Sequence, residues 1–201
     1  MTYPAFFDQV PAITLHDGLA QLLGASSDGL MTYHYIDAVR LAGHSCPTVA
    51  GAYLMTRRGL QLLYPEQTPQ RGEIEVRFST PVEHGVTGVI ANVMRLITGA
   101  TGAGGFKGLG GQHSRKDLLH FDCPLQGEVS FRRLDTGASV QLGTDMSSIP
   151  GSPQMMPLLQ RTLQGVASAE ETAEFGRLWQ ERVKAILLQH ADDPEVILAV
   201  A

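Results

Sequence analysis

The chain has 201 residues, of which 43% are hydrophobic, enough for one sizeable core with or without an appended helical segment. Fifteen lysines and arginines against twenty acidic residues give a formal net charge of -5. No run of basic residues interrupts this balance, which argues against a protein that binds nucleic acid through its phosphates.

The N-terminal residues carry neither the basic nor the apolar region of a secretory signal, and no apolar run is long enough to span a bilayer. We therefore expect a cytoplasmic protein without a membrane partner. The two cysteines, Cys46 and Cys123, are too few for a disulfide framework and suit free thiols in a reducing compartment. A disulfide between them is the less favoured alternative.

Three elements are predicted in the first third of the chain. Residues 15–23 have the spacing of a short helix, with Thr14 as N-cap and Gly24 as the stop. Residues 30–36 are rich in aromatic and β-branched side chains and follow an Asp-Gly turn, which predicts a strand. Residues 47–63 place apolar side chains at helical intervals after a proline suited to the first turn.

Glycine dominates the middle of the chain. Residues 73–79 alternate apolar and polar side chains, which is typical of a half-buried strand. Residues 86–97 predict a helix that is apolar on much of its circumference and therefore well buried. Residues 99–111, which we name the glycine-rich loop, contain seven glycines and favour neither helix nor strand.

The second half predicts strands followed by helices. Residues 117–123, 128–134 and 139–143 are predicted strands, the last two joined by an Asp-Thr-Gly turn, and residues 155–164 and 169–189 are predicted helices. We expect an α+β fold with a mixed sheet covered by helices, mainly on one face. Residues 1–150 would form the main domain, and residues 151–201 a C-terminal helical extension packed on it.

The segment Gly43-His44-Ser45-Cys46-Pro47 is the strongest functional candidate. Cys46 precedes the predicted helix, where free amide groups favour a thiolate, and His44 can share a metal with it if the chain turns. Two ligands do not complete a zinc site, and no spacing rule selects the others. The remaining candidate ligands are His16, His34, His84, His113, His120, Cys123 and Asp37. The alternative is that His44 and Cys46 are buried structural residues that pack a helix end.

Three basic residues lie in or just after the glycine-rich loop: Lys107, His113 and Arg115. The loop matches neither the phosphate-binding P-loop nor the dinucleotide fingerprint. Its length and basic neighbours nevertheless predict a lid or a loop that binds an acidic cofactor or substrate. The alternative is a mobile surface connection. His34, flanked by two tyrosines in a predicted strand, is interpreted as a core histidine, and Trp179 as docking on the domain or on a second protomer.

Three ordered motifs resemble one known family. Residues 37–51, DAVRLAGHSCPTVAG, resemble the GHxCP signature of the FmdE family, which is named after a component of formylmethanofuran dehydrogenase. Residues 96–101, LITGAT, resemble the family's helix-ending TGCT segment, and residues 131–140, FRRLDTGASV, its late strand-turn-strand. The resemblance covers about residues 30–143, and three motifs in order are more specific than one.

The resemblance implies a fold similar to the catalytic domain of glyceraldehyde-3-phosphate dehydrogenase, a homodimer, and zinc or another divalent transition metal held by His44 and Cys46. This chain departs from the family pattern at two potential ligands. Ala42 stands where many relatives carry a histidine, and Ala100 where they carry a cysteine. Any metal site must therefore be completed differently in this chain.

Two functions are consistent with these features. The first is a metal-binding accessory protein that holds or transfers a metal or a metal-containing cofactor through His44 and Cys46. The second is a metal- or thiolate-dependent enzyme acting on a small acidic substrate, with Cys46 as the candidate catalytic residue and the glycine-rich loop as a lid. A dimeric protein in which the motif is purely structural is a third hypothesis.

Overall fold

A computed structural model describes residues 3–200 and confirms an α+β fold with a mixed sheet. The helices are α1 (Gly18–Leu22), α2 (Tyr35–Ala42), α3 (Pro47–Leu63), α4 (Thr87–Thr98), α5 (Met155–Leu163) and α6 (Ala169–Lys184). The strands are β1 (Ile13–His16), β2 (Leu30–Tyr33), β3 (Ile74–Phe78), β4 (Leu119–His120), β5 (Val129–Arg133), β6 (Ser139–Thr144) and β7 (Ile197–Val200). No helix among the described residues is long and apolar enough to cross a membrane.

The prediction of one helix over residues 15–23 is wrong at its start. Thr14 is not an N-cap, because it lies in β1, which pairs antiparallel with β2. The helix begins later, at α1, where Oδ1 of Asp17 accepts hydrogen bonds from the backbone N–H groups of Leu19 and Ala20. The cap at Asp17 decides where the helix begins, because a carboxylate that accepts two backbone N–H groups is a stronger start signal than the weak apolar spacing of residues 15–23.

The predicted strand 30–36 ends early, because a helix that the sequence did not predict begins inside it. Strand β2 stops at Tyr33, and α2 starts at Tyr35. The carboxylate of Asp37, in the first turn of α2, accepts a hydrogen bond of 2.8 Å from the backbone N–H of His34. His34 is exposed at this junction, so its interpretation as a core histidine is wrong.

The main sheet has the strand order β4-β3-β5-β6-β7. Only β3 and β4 are parallel, and the other neighbours are antiparallel. The Asp-Thr-Gly turn joins β5 to β6 as predicted, with Gly137 at a φ of 75°. The strand predicted over residues 117–123 shortens to β4, because Asp117 and Asp122 take positive φ values of 58° and 56° and interrupt the extended backbone on both sides.

Helices α3 and α4 form the layer that covers the sheet, and both were predicted to within one residue of their observed bounds. Helix α3 packs on β5, β6 and β7, and α4 packs on β3 and on α3. Pro47 occupies the first turn of α3, as its fixed φ favours. Gly59 of α3 lies so close to Phe131 of β5 that an added Cβ would stand 2.7 Å from the ring. The core therefore lies between α3, α4 and the inner face of the sheet.

The C-terminal segment contributes to this core through α6 and β7. Ser168 caps α6 as predicted, since its side chain accepts the N–H of Glu171 while the Glu171 carboxylate accepts the N–H of Ser168. The helix predicted to residue 189 becomes a π-helical turn over Ala185–Gln189. Strand β7 was not predicted from the sequence. It pairs with β6 at the edge of the main sheet, so the described part of the C-terminal segment, residues 151–200, contains a strand as well as helices.

Candidate functional site

The His44–Cys46 segment forms the corner between α2 and α3. Gly43 ends α2 in the left-handed conformation, at a φ of 76°, and Cys46 is the N-cap of α3. Only His44 and Ser45 separate these two caps. The backbone therefore turns within the motif, as its glycine and proline predicted, although His44 is exposed and Cys46 is buried.

Ser45 fixes this corner from two sides. Its hydroxyl lies 2.9 Å from the hydroxyl of Tyr35 in α2. Its carbonyl accepts hydrogen bonds from Nε1 of Trp179 at 3.0 Å and from Nε2 of Gln180 at 3.1 Å, both on α6. Trp179 therefore docks on the domain itself, one of the two alternatives predicted for it. Helix α6 holds the candidate motif in place, a role that the sequence did not predict.

Cys46 is a poor candidate for an open nucleophile in this conformation. Only 8% of the residue is exposed, and it belongs to the main hydrophobic core. Its Sγ accepts the backbone N–H of Val49 at 3.5 Å, which is an N-cap interaction at the start of α3. The structural alternative, a cysteine that packs a helix end, describes its present contacts well.

His44, by contrast, is exposed and has one ring nitrogen available. Its Nδ1 lies 3.0 Å from the carbonyl oxygen of Ala42. Because a carbonyl oxygen can only accept, Nδ1 carries the hydrogen, and in the neutral ring Nε2 keeps its lone pair. His44 lines a small pocket of about 150 Å³ between α2 and α4, together with Leu41, Ala42, Val89, Asn92 and Val93. It can thus take a proton from, or bind, a ligand in that pocket.

The residues described do not complete a metal site. Among residues 3–200, no group of three histidine, cysteine or acidic side chains is arranged to hold a metal ion. Ala42 lines the His44 pocket, and Ala100 is fully buried at the end of α4. His44 and Cys46 are two donors, whereas a catalytic zinc normally has three protein ligands.

The other candidate ligands are occupied or lie elsewhere. His16 is hydrogen-bonded between two glutamines, His120 pairs with Glu75, and both cysteines are free thiols. None of the seven candidates named from the sequence joins His44 and Cys46 in a metal-binding group within the described residues: His16, His34, His84, His113, His120, Cys123 and Asp37.

A second, larger depression of about 510 Å³ lies beside the His44 pocket. The two share Leu41 of α2 and Asn92 of α4 as lining residues. We call the pair the α2–α4 groove. Its far end, which we call the arginine pocket, is lined by Arg71, Arg95 and Arg115. The groove therefore places a histidine at one end and three guanidinium groups at the other.

A buried carboxylate holds two of these arginines. Asp17, whose side chain is 4% exposed, accepts hydrogen bonds from Nη1 of Arg71 at 2.8 Å and from Nη2 of Arg115 at 2.6 Å. Burial raises the pKa of Asp17, but the hydrogen bond from Arg71, the capped N–H of Ala20 and the charge of Arg115 outweigh it and hold the pKa below its usual value. Asp17 is thus ionised and fixes both guanidinium planes.

Arg71 also closes the C-terminus of α4. Its Nε and Nη2 donate to the carbonyls of Ile97 and Leu96, which have no partners within the helix. The cation also suits the negative end of the helix dipole. Arg95, in the last turn of α4, is exposed and forms no ion pair with an acidic residue in the part of the chain that the structure describes.

The glycine-rich loop supplies one wall of the arginine pocket through Thr101 and Phe106. Its first half is tied to Arg115, because the N–H of Thr101 donates to the carbonyl of Arg115 and the N–H of Arg115 donates to that of Phe106. Of the three basic residues predicted to bind a cofactor, only Arg115 lines the pocket. Lys107 is exposed on the loop, and His113 packs beside Gly18 at the start of α1.

Asp17, Arg71 and Arg95 were not predicted from the sequence as site residues. Asp17 is 54 residues from Arg71 and 98 from Arg115 along the chain, so no local spacing connects them. The one available signal was Asp17 itself, an aspartate at the start of an apolar helical stretch, which is a typical N-cap position.

Comparisons with known proteins do not assign this groove. No protein-family model matches the chain, and no curated protein matches it with significance. The resemblance to the FmdE family accordingly remains a prediction that rests on the three motifs.

Proposed function

We propose that the chain is an enzyme that binds a small acidic substrate in the α2–α4 groove and uses His44 to transfer a proton. The observation that carries this proposal is the orientation of the imidazole. The Ala42 carbonyl accepts a hydrogen bond from the N–H group at Nδ1, so Nε2 of the neutral ring has a free lone pair beside the pocket. An imidazole held in one tautomer next to a ligand cavity is the usual arrangement of a general base.

The groove also supplies what an acid–base site needs around the histidine. Tyr35, Trp179 and Gln180 hold Ser45, the neighbour of His44, so the motif backbone is fixed before a ligand binds. The arginine pocket attracts and orients an acidic substrate at the opposite end. The glycine-rich loop, which carries Phe106 at the pocket wall, retains its proposed role as a lid.

Alkylation by bromoacetate tests this proposal without knowledge of the substrate. Bromoacetate is a small carboxylate, and a histidine lone pair displaces its bromide to form a C–N bond. We expect His44 to be carboxymethylated with saturation kinetics, because the reagent binds in the groove before it reacts. Inorganic phosphate should slow the reaction by competing for the arginine pocket. Peptide mass spectrometry measures the extent of modification at each histidine.

His34 is the matched control, since it is also exposed but does not line the groove. It should react slowly, in proportion to reagent concentration, and phosphate should not protect it. Equal rates at His44 and His34, without saturation, would show that the groove does not present a substrate to His44, and the proposal would be wrong.

A metal-binding accessory protein of the FmdE type is the second candidate. Metal-bound histidines commonly donate their second ring hydrogen to a backbone carbonyl, as Nδ1 of His44 does to Ala42. Further ligands would have to come from solvent, from the cargo, or from a second copy in the proposed homodimer. Equilibrium dialysis against zinc, with untagged wild type, His44→Ala and Cys46→Ala, tests it. Binding that is equal in all three proteins, or absent from all, would reject this candidate.

The two free thiols remain compatible with the expected cytoplasmic location, since a reducing compartment keeps such cysteines unpaired.

A further inference from the structure

We propose that the arginine pocket is a binding site for a dianionic head group, a phosphate monoester or a dicarboxylate, carried on a small apolar body. The inference rests on the proposed function where it treats the ligand as a substrate, and it names the chemical class of that substrate. It also stands as a binding site if His44 performs no chemistry.

The net charge of the arginine pocket favours a ligand with two negative charges. Arg71, Arg95 and Arg115 bring three positive charges, and Asp17 neutralises one of them. No aspartate or glutamate lines the pocket itself among the residues that the structure describes. Two positive charges therefore remain facing one cavity, which a head group with two negative charges would neutralise.

Arg115 places a buried hydrogen-bond donor without an acceptor at the pocket wall. The side chain of Arg115 is 8% exposed, and its Nη1 has no hydrogen-bond partner among the described residues, although Nη2 binds Asp17. A buried, charged donor without an acceptor is costly, so in native proteins such a donor usually has a partner. A head-group oxygen that reached Nη1 as the glycine-rich loop shifted would supply the missing acceptor.

Two glycines make room for this guanidinium. A Cβ on Gly72 would stand 1.3 Å from Nη1 of Arg115, and a Cβ on Gly99 would stand 3.3 Å from the same atom. Both glycines have positive φ, 81° and 75°, so the backbone there favours glycine for conformation as well as for space. Gly99 also lines the arginine pocket. The backbone is thus shaped around Arg115 at the pocket wall.

The three arginines are held by different numbers of contacts, which suits ligand capture. Arg71 is fixed by Asp17 and by two carbonyls of α4, and Arg115 is fixed by Asp17. Arg95 is exposed and is not held by an ion pair within residues 3–200. Two guanidinium groups thus form a rigid floor, and Arg95 can fold over a bound head group. Guanidinium groups can bind phosphate and carboxylate groups through two parallel N–H donors, which favours these head groups.

The pocket also has apolar side chains in its lining. Leu41, Leu96 and Phe106 line it beside the arginines, and Phe106 is 43% exposed. A free inorganic ion would leave these side chains in contact with water, whereas an organic ester or diacid would cover them. Leu41 also leads to the His44 pocket, so the body of the ligand would point towards His44.

Isothermal titration calorimetry at constant ionic strength tests the site, with inorganic phosphate, malonate and acetate as probes. We expect saturable binding of one phosphate or malonate per chain, and at least about tenfold weaker binding of acetate, which lacks the second charge. Arg95→Gln should weaken binding of the dianions by about tenfold. Because Arg95 is exposed, this variant should keep its fold, which circular dichroism checks.

Arg77→Gln is the matched control, because Arg77 lies in β3 and does not line the groove. It should bind phosphate as wild type does. His44→Asn should also retain phosphate affinity within about twofold, so failure of the His44 chemistry and failure of the anion site give different results. Phosphate binding without malonate binding assigns phosphate esters, and the reverse assigns dicarboxylates. Equal affinities in Arg95→Gln and Arg77→Gln, or acetate bound as tightly as malonate, would overturn the proposal.

Discussion

At the scale of single residues, Asp17 has three structural tasks. It caps α1, and it positions both Arg71 and Arg115. Its side chain is almost fully buried, so removal of its charge would leave two guanidinium groups close together without a counter-ion. Stability of the fold and assembly of the arginine pocket therefore depend on the same carboxylate.

Asp17→Asn should lower the free energy of unfolding by about 3 kcal/mol at neutral pH. The native pKa of Asp17 is lower than its ordinary value of 3.8, so its stabilising contribution is complete above that value. The contribution is lost as the pH falls through the lower native pKa. Urea denaturation of both proteins between neutral pH and acid should therefore show a difference that narrows below about pH 4.

Asp8→Asn serves as the control for this series, because Asp8 is exposed and should change stability by less than about 0.5 kcal/mol. A wild-type advantage over Asp17→Asn that stayed constant into strong acid would contradict the assigned role of the ionised carboxylate.

At the scale of elements, α6 acts on the site from a distance in sequence. Trp179 and Gln180 reach the Ser45 carbonyl, 134 and 135 residues away. Helix α3 illustrates close packing instead, since Gly59 admits the ring of Phe131. Helix α6 thus holds the His44–Cys46 segment at the start of α3, and α3 packs on the sheet. The first contact depends on Trp179 and Gln180, and the second on Gly59.

Trp179→Phe should remove one of the two hydrogen bonds to Ser45 while keeping most of the aromatic packing. We expect a loss of about 1 kcal/mol in unfolding free energy. We also expect faster alkylation of the buried Cys46 by iodoacetamide, because the corner before α3 loosens. Mass spectrometry of the Cys46 peptide measures that rate. An unchanged rate would show that α6 does not hold the motif.

Gly59→Ala in α3 and Gly176→Ala in α6 should change the free energy of unfolding in opposite directions. At Gly59 a methyl group would overlap Phe131, so overpacking by about 1–3 kcal/mol should exceed the helix-propensity gain. At Gly176 of α6 nothing lies within 4 Å of an added Cβ, so alanine should stabilise by roughly 0.5–1 kcal/mol. Thermal unfolding measures both. Stabilisation by Gly59→Ala would refute the close packing of α3 on β5.

At the scale of the whole molecule, the sequence predicts elements better than it predicts the site. Helix α3 follows from apolar spacing and Pro47, which are local. The bounds of β4 were predicted too wide, because positive φ values interrupt the strand on both sides, and helix α2 was not predicted, because a capping aspartate decides where it begins. The arginine pocket could not be predicted, because Asp17 joins residues that only the tertiary fold brings together. The corner at His44 was recognised, but its connection to that pocket was not.

The central claim is that one groove links the arginine pocket to His44. Imidazole NMR spectra of the protein, titrated with phenyl phosphate, test it most directly. The phosphate should bind the arginines and the ring should extend past Leu41, so the His44 signals should shift, whereas inorganic phosphate should move them much less. Arg95→Gln should weaken the response. Unchanged His44 signals, when calorimetry shows the site to be saturated with phenyl phosphate, would contradict the account.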